Sequence, residues 1–404
     1  MHIVFVTPEF VTECRGGGLA SYLSNIAKIL AEHGHAVTIV TSSKHNNDSM
    51  EWYSGVIVER VKDCGKFLPV PFYNLWRSWR LCERVKKINK RRKIDIVQYA
   101  SFEAVGFWRI KKIPSVARIS SDRVCWREYK VFDYQIQDIN HLYLSDKIEY
   151  VALKRIGNIY GPSLATAKII AKRIGRYISI IESPFYLKRV EFDYSLYNKK
   201  LIQKKYYLAH SSMSCMKGTH IIAQIIEKVC QQDRNAYFVF AGSDHGILYQ
   251  NTEKNESAKD YIIRMAGEWA DRVIFLGTVK REELFPIIDN AFACLMPSRI
   301  DNMPNTCIEA MALGKIVVGT RGASYEQFIE DGVSGYLVQI DDVEGLYNSV
   351  VKINQLDGDG RKKIGDNASR ITERFKPEII YQEIMQYYLN VIGGTEKLGE
   401  KINS

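Results

Sequence analysis

Short apolar runs return along this chain at intervals that leave room for one amphipathic helix between each pair, and no other feature narrows its fold so far. His2 to Thr7 reads as a strand, Leu19 to Glu32 as a helix with Leu19, Tyr22, Leu23, Ile26 and Leu30 on one face, Gly34 as its stop, and Ala36 to Thr41 as the next strand. Neighbouring parallel strands need a crossover long enough for a helix, and strands apolar on both faces must be covered on both. The rhythm continues through Gly55 to Arg60, Ile94 to Tyr99, Ser115 to Ser120 and Asn158 to Gly161, then a helix from Ser163 to Gly175 and a strand from Ile178 to Ile181. The fold class is therefore α/β, with a parallel, doubly wound sheet.

At 404 residues the chain is too long for one small core, and two domains of roughly 200 residues each are expected. A second series supports this, with strands at Tyr206–His210, Ala236–Ala241, Arg272–Leu276, Ala291–Met296 and Ile316–Thr320 and a helix at Thr219–Val229. Pro184 breaks the last strand of the first series, which predicts a first domain over residues 1–185 and a second over 186–376. A terminal helix from Pro377 to Val391 carries Ile380, Tyr381, Ile384 and Tyr388, and the tail from Gly393 is expected to be loose.

The eight cysteines form no C-x-x-C pair, which argues against a zinc site or disulfide framework and for a reducing, cytoplasmic setting. Met1 to Glu9 does not read as a signal peptide, and the chain has no run of about 18 uninterrupted apolar residues, so no membrane span is expected. A net charge of +10 suits an acidic partner such as a nucleotide diphosphate or an anionic membrane surface; no recognition motif for nucleic acid accompanies it. Gly16-Gly17-Gly18 follows the first strand and opens a helix, a place where backbone can approach a phosphate. The dinucleotide fingerprint is absent, since the second strand ends Val40-Thr41-Ser42-Ser43 without an acid.

The densest chemistry lies between Pro297 and Gly314. Asp301 falls in a polar loop after a strand, and Glu309 in the first turn of a helix that opens near Thr306 and stops at Gly314. Ligands of open parallel sheets bind outside the carboxyl ends of the strands, where helix N-termini offer unpaired amides to anions. Thr306-x-x-Glu309 is also a capping box, so the local pattern leaves both capping and ligand binding open for Glu309.

The stretch from Pro297 to Val338, with Gly319 to Glu326, Asp331-Gly332 and Gly335 to Val338, closely resembles the donor-site signature of retaining glycosyltransferases of family 4. That family has the GT-B fold: two facing Rossmann-like domains, an interdomain cleft, and a last helix that crosses back to the first domain. The resemblance implies that Asp301 contacts hydroxyls of the donor sugar, that Glu309 contacts the ribose, and that the amides of Asn305 and Thr306 hold the diphosphate. It further implies that Lys217, in Lys217-Gly218, neutralises the leaving diphosphate. Gly17 and Gly18 would face the donor, and Thr278 after Gly277 would meet the nucleobase. Three positions depart from the family pattern: Asp301 stands for the usual Glu, Ser211 or Ser212 for the usual Arg, and Ser120 for the usual His.

Family 4 binds its donor without a metal, so neither metal nor cofactor is expected. The implied substrate is a nucleotide-diphosphate sugar, expected to be a UDP-sugar, with transfer to a hydroxyl acceptor in surface polysaccharide or glycolipid synthesis. Two other readings accompany it: a catalytically silent nucleotide-sugar-binding subunit, and a soluble-acceptor transferase of glycogen or sucrose type. Asp357-Gly358-Asp359 reads as a polar turn and not a metal site. Phe67 to Lys93 mixes Phe72, Trp76 and Trp79 with Arg77, Arg80, Lys86, Lys87 and Lys90. Such a helix suits either an anionic membrane surface, with a lipid-linked oligosaccharide as acceptor and a peripheral place on the inner face, or a surface helix packed through its aromatics.

Overall fold

The computed structural model describes residues 1–13, 18–43, 48–63, 65, 68–132, 142–185, 187, 192–248 and 255–394; Gly16, Gly17, Phe67 and the tail beyond Gly394 lie outside the described residues. In chain order the strands are β1 (His2–Thr7), β2 (Ala36–Ser43), β3 (Ser49–Tyr53), β4 (Val56–Lys62), β5 (Ile96–Ala100), β6 (Ser115–Arg118), β7 (Asn158–Gly161), β8 (Ser179–Ile180), β9 (Lys205–Ala209), β10 (Ala236–Ala241), β11 (Ile247–Leu248), β12 (Asn255–Glu256), β13 (Val273–Gly277), β14 (Ala293–Leu295), β15 (Val317–Thr320) and β16 (Tyr336–Val338). The helices are α1 (Gly18–Glu32), α2 (Val70–Arg91), α3 (Arg123–Glu128), α4 (Leu144–Ile156), α5 (Leu164–Ile174), α6 (Ser195–Lys200), α7 (Thr219–Gln232), α8 (Ala258–Ala266), α9 (Arg281–Asp289), α10 (Asn305–Ala312), α11 (Val343–Gln355), α12 (Gly358–Ile371) and α13 (Pro377–Gly393). The chain divides into two compact units, the first made of Met1–Arg123, His141–Pro184 and Phe375–Ser404, the second of Val124–Asn140 and Phe185–Arg374.

The first unit carries one sheet in the order β3-β4-β2-β1-β5-β6-β7-β8. Its pairings are parallel except for the edge strand β3, which runs antiparallel to β4 and was not foreseen. Ile3, Val4, Phe5 and Val6 are buried on both faces of β1, each contributing about 1.5–3 kcal/mol on burial. Ser163 caps α5 by accepting from the Thr166 amide, and Gly175 ends it in the left-handed conformation. The last helix, α13, packs in this unit: Tyr381 stacks on His33 at 3.7 Å, and the buried Tyr388 hydroxyl bonds Gln98.

Helix α2 divides its aromatic and basic residues between the core and the surface. It buries Tyr73, Leu81, Val85 and Ile88, while Phe72 and Trp79 are 53% and 47% exposed, so it does not pack through all of its aromatics. Nor is its basic face wholly free. Arg77 is buried and paired with Glu103, Arg84 bonds Asp48 and Glu59, and Arg91 bonds Glu59. Lys87 and Lys90 remain exposed. Among the described residues no helix is long and apolar enough to cross a membrane.

The second unit carries a parallel sheet in the order β13-β10-β9-β14-β15-β16, and β11 and β12 pair antiparallel as a separate two-stranded sheet. Residues 357–359 open a helix and do not form a turn: Asp357 caps α12 by accepting from the Gly360 amide at 2.7 Å. No group of three or more side chains suited to a metal ion occurs among the described residues.

One boundary differs from the expected 1–185. The segment from Val124 belongs to the second unit because the guanidinium of Arg299, 2% exposed, bonds the carbonyls of Tyr129, Val131 and Phe132. The same guanidinium pairs with Asp341 at 2.9 Å and meets His220 Nε2 at 3.1 Å. Burial pushes the Asp341 carboxyl up, but bonds from His220 and Arg299 outweigh it and hold that carboxyl below its ordinary range. Removing one member of a buried charged group strands the others. Arg299→Met is therefore expected to lower the stability of the second unit by about 3–5 kcal/mol in urea unfolding, and a loss within experimental error would contradict this reading.

Candidate active site

Strand order places a switch point between β9 and β14, since the chain runs from β9 toward β13 on one side and from β14 toward β16 on the other. Ligands of doubly wound sheets bind at the carboxyl ends of such strands, where the two following loops part. The loop after β9 ends in a 3-10 turn, Cys215–Lys217, and the loop after β14 runs to Pro304. These loops are stitched together. The Arg299 amide donates to the Met216 carbonyl at 2.9 Å. Gly218 has φ +72, and a Cβ there would lie 2.0 Å from the Pro297 carbonyl oxygen, so only glycine allows this approach.

The seam brings Lys217 Nζ to 2.5 Å from Asp301 Oδ2, with the two side chains 17% and 15% exposed. Asp301 is held from two further directions: its Oδ1 accepts from the Asn302 amide at 2.9 Å, and its carbonyl accepts from the Ser324 hydroxyl at 2.5 Å. A carboxylate and an ammonium are thus converged where the topology predicts a ligand.

Helix α10 begins at Asn305, with Pro304 as N-cap and no side-chain cap bond. Thr306 is therefore not a cap, no capping box forms, and Glu309 is the fifth helical residue, beyond the first turn where the spacing had put it. The Asn305 amide already donates to the Met303 carbonyl at 2.9 Å. The first helical bond joins the Ile308 amide to Pro304, so the Thr306 and Cys307 amides lie ahead of the helical frame. Glu309 pairs with Arg281 at 3.1 Å, a residue 28 positions away. Burial pushes its carboxyl up, with Arg281 opposing.

The other candidates are placed as follows. Gly18 opens α1 in the first unit, and a Cβ there would meet nothing within 4 Å, so packing does not demand glycine. Ser212 is half-buried in the loop after β9, whose Ser211 carbonyl lies against Gly242. Thr278 is exposed at the end of the edge strand β13. Ser120 lies in the first unit with its amide 3.2 Å from the Ser101 hydroxyl. Lys217 and Asp301 touch; the Glu309 carboxylate is turned to Arg281.

Sequence reasoning missed Arg281, Ser324, Arg299 and His210. His210 directly follows β9, which was its one available signal. It is buried, and its Nε2 meets the Thr306 carbonyl at 3.1 Å, tying β9 to the first turn of α10. Burial pushes its imidazole down to about 4 from 6.5. The ring is therefore neutral, and Nε2 carries the proton that it donates. A depressed histidine gives stability that is complete above the unfolded value and is lost as pH falls from 6.5 toward 4. Relative to His210→Asn, the native second unit should lose about 2–3 kcal/mol of extra stability between neutral pH and about pH 4.5, read by urea unfolding. Parallel pH profiles for the two proteins would contradict the assignment.

The family description Glycosyltransferase Family 4 matches residues 16–185, and Glycosyl transferases group 1 matches residues 204–355. N-acetyl-alpha-D-glucosaminyl L-malate synthase of Bacillus anthracis is 27% identical over 123 residues, covering 30% of this chain and 32% of that protein. The chain thus spans about a third of the length of that relative. Sucrose-phosphate synthase from Thermosynechococcus elongatus superposes with a TM-score of 0.74 at 17% identity, over 97% of this chain and 99% of that one. HepE from Anabaena, solved in complex with UDP, superposes with a TM-score of 0.69 at 17% identity, over 96% and 99%. At such identities the likeness speaks to fold, and the fold is that of the GT-B glycosyltransferases. The two family descriptions, one matching residues 16–185 and the other 204–355, lead to one statement: the chain belongs to the glycosyltransferases of family 4 and group 1.

Proposed function

We propose that this chain transfers a sugar from a nucleotide-diphosphate sugar, a UDP-sugar in the first instance, to a hydroxyl acceptor, with retention at the anomeric carbon. The observation that carries this reading is the Lys217–Asp301 pair at the switch point of the second sheet. In it, the donor replaces one salt bridge with two better-matched contacts. The diphosphate takes Lys217, the Thr306 amide and the positive end of α10, while sugar hydroxyls donate to Asp301. The ribose hydroxyls donate to the Glu309 carboxylate. As the bond from the anomeric carbon to the β-phosphate oxygen breaks, negative charge grows on that phosphate beside Lys217. The acceptor hydroxyl attacks the same face of the sugar and passes its proton to the departing phosphate oxygen. The second unit is then the donor side, the first unit the acceptor side, and no metal is required.

Helix α2 supports a lipid-linked acceptor at an anionic membrane surface in the surface-polysaccharide or glycolipid reading. Phe72 and Trp79 face solvent on a helix that also exposes Lys87 and Lys90. Replacing Phe72 and Trp79 by Ala should lower co-sedimentation with phosphatidylglycerol vesicles; unchanged sedimentation would contradict membrane contact through this helix.

Asp301→Ala should reduce turnover by about 100-fold or more with nucleotide affinity changed little, because its contacts are to the reacting sugar. Glu309→Ala should instead weaken UDP binding by about tenfold or more. A carboxylate must be ionised to accept from two hydroxyls. Since the Glu309 carboxyl is raised by burial, UDP affinity should fall as pH drops through a window above the ordinary glutamate range, and Glu309→Gln should flatten that profile. Near-normal turnover in both alanine variants would refute the assignment.

A further inference from the structure

At the amino ends of the second unit's strands, opposite the loops that carry Lys217 and Asp301, lies an open cavity of about 520 Å³. Lys205 opens β9, Phe292 directly precedes β14, and Lys315 leads into β15; Lys204, Arg361 and Lys362 complete the charged part of its wall. None of the residues that line it is acidic. Two of the five cations are neutralised from outside: Lys205 by Asp233 at 2.8 Å and Lys362 by Asp366 at 2.6 Å. Lys204, Lys315 and Arg361 make no ion pair among the described residues. Arg361 bonds the Leu356 carbonyl and lies 5.1 Å from the centre of the Phe292 ring, and Lys204 lies over Tyr237.

Three cations converging on one concavity repel one another unless an anion joins them. Arg361 and Lys362 also lie near the N-terminus of α12, whose dipole disfavours cations and favours anions. Five positive side chains around a small-molecule-sized cavity, three of them without a counter-ion, thus form a receptor for several negative charges at once. The volume falls in the ordinary range of about 300–1,000 Å³ for small-molecule sites. We propose that this cavity binds a phosphate-bearing anion of at least two negative charges, held chiefly by Lys204, Lys315 and Arg361. The source of that phosphate is either a soluble metabolite or a lipid headgroup. The inference does not depend on the donor-site reading.

The test is calorimetric titration of the full chain with inorganic pyrophosphate in saturating UDP, so that Lys217 is already engaged. One further equivalent of pyrophosphate should bind. The double variant Lys204→Glu/Lys315→Glu should weaken that event by about tenfold or more while leaving UDP affinity unchanged. If UDP itself fails to bind, the titration runs without it. Pyrophosphate binding lost in the double variant and kept in Lys217→Ala then still supports the cavity, and the donor reading alone fails. A second arm measures co-sedimentation with phosphatidic acid vesicles, whose headgroup is a phosphomonoester able to carry two negative charges. Loss of vesicle binding in the double variant, with competition by pyrophosphate, identifies a lipid headgroup as the source. Should the double charge reversal fail to fold, Lys315→Gln replaces it, with several-fold weakening expected. Absence of binding in both arms, or binding that the variants leave unchanged, overturns the proposal.

Discussion

A single backbone hydrogen bond, from the Arg299 amide to the Met216 carbonyl at 2.9 Å, marks the seam on which the candidate site rests. Two loops leaving adjacent strands at a switch point diverge by construction, because their helices go to opposite sides of the sheet. Something must hold their first residues together if a lysine on one is to meet an aspartate on the other. The glycine at 218, with its backbone against Pro297, allows the approach, and the buried Arg299 guanidinium fixes it by anchoring to Asp341 and to the carbonyls of residues 129, 131 and 132. Asp301 then has little freedom: its main chain is tied to Ser324 and its side chain to Asn302 and Lys217.

The departures from the family pattern have a physical reading in this frame. In the proposed donor site, Ser in place of Arg in the loop after β9 would remove one positive charge from the diphosphate side, leaving Lys217 as the charged group there and the rest of the anion's support to helix α10. The first turn of α10 is itself tied to β9 through neutral His210. A charged imidazole at that place would be buried without a carboxylate, which is why burial keeps it neutral. Asp301 in place of Glu draws the carboxylate back by one methylene, and Lys217 reaches it directly in this structure.

How much of this was legible in the sequence depended on whether the determining interaction was local. Apolar periodicity placed β1, β7 and β10 to the residue, and Ser163 and Gly175 marked both ends of α5, because helix caps and buried strands are written within a few residues. Strand β3 was missed: Ser49–Tyr53 lies at an edge with little buried side chain, so it has no apolar alternation to read. The allegiance of residues 124–132 was invisible, because it is decided by an arginine about 170 positions later. Thr306-x-x-Glu309 misled for a related reason. The helix starts at Asn305, one residue before the pattern's first member, and Glu309 finds its partner in α9 and not in its own first turn.

The central claim is that Lys217 and Asp301, bonded to each other in this structure, are the two groups that hold the activated sugar. A crystal structure of the chain with a nucleotide-diphosphate sugar tests it most directly. The account predicts the ammonium of Lys217 on a diphosphate oxygen and the carboxylate of Asp301 within hydrogen-bond distance of a sugar hydroxyl. A ligand bound elsewhere, with the two side chains still joined to one another, would contradict it.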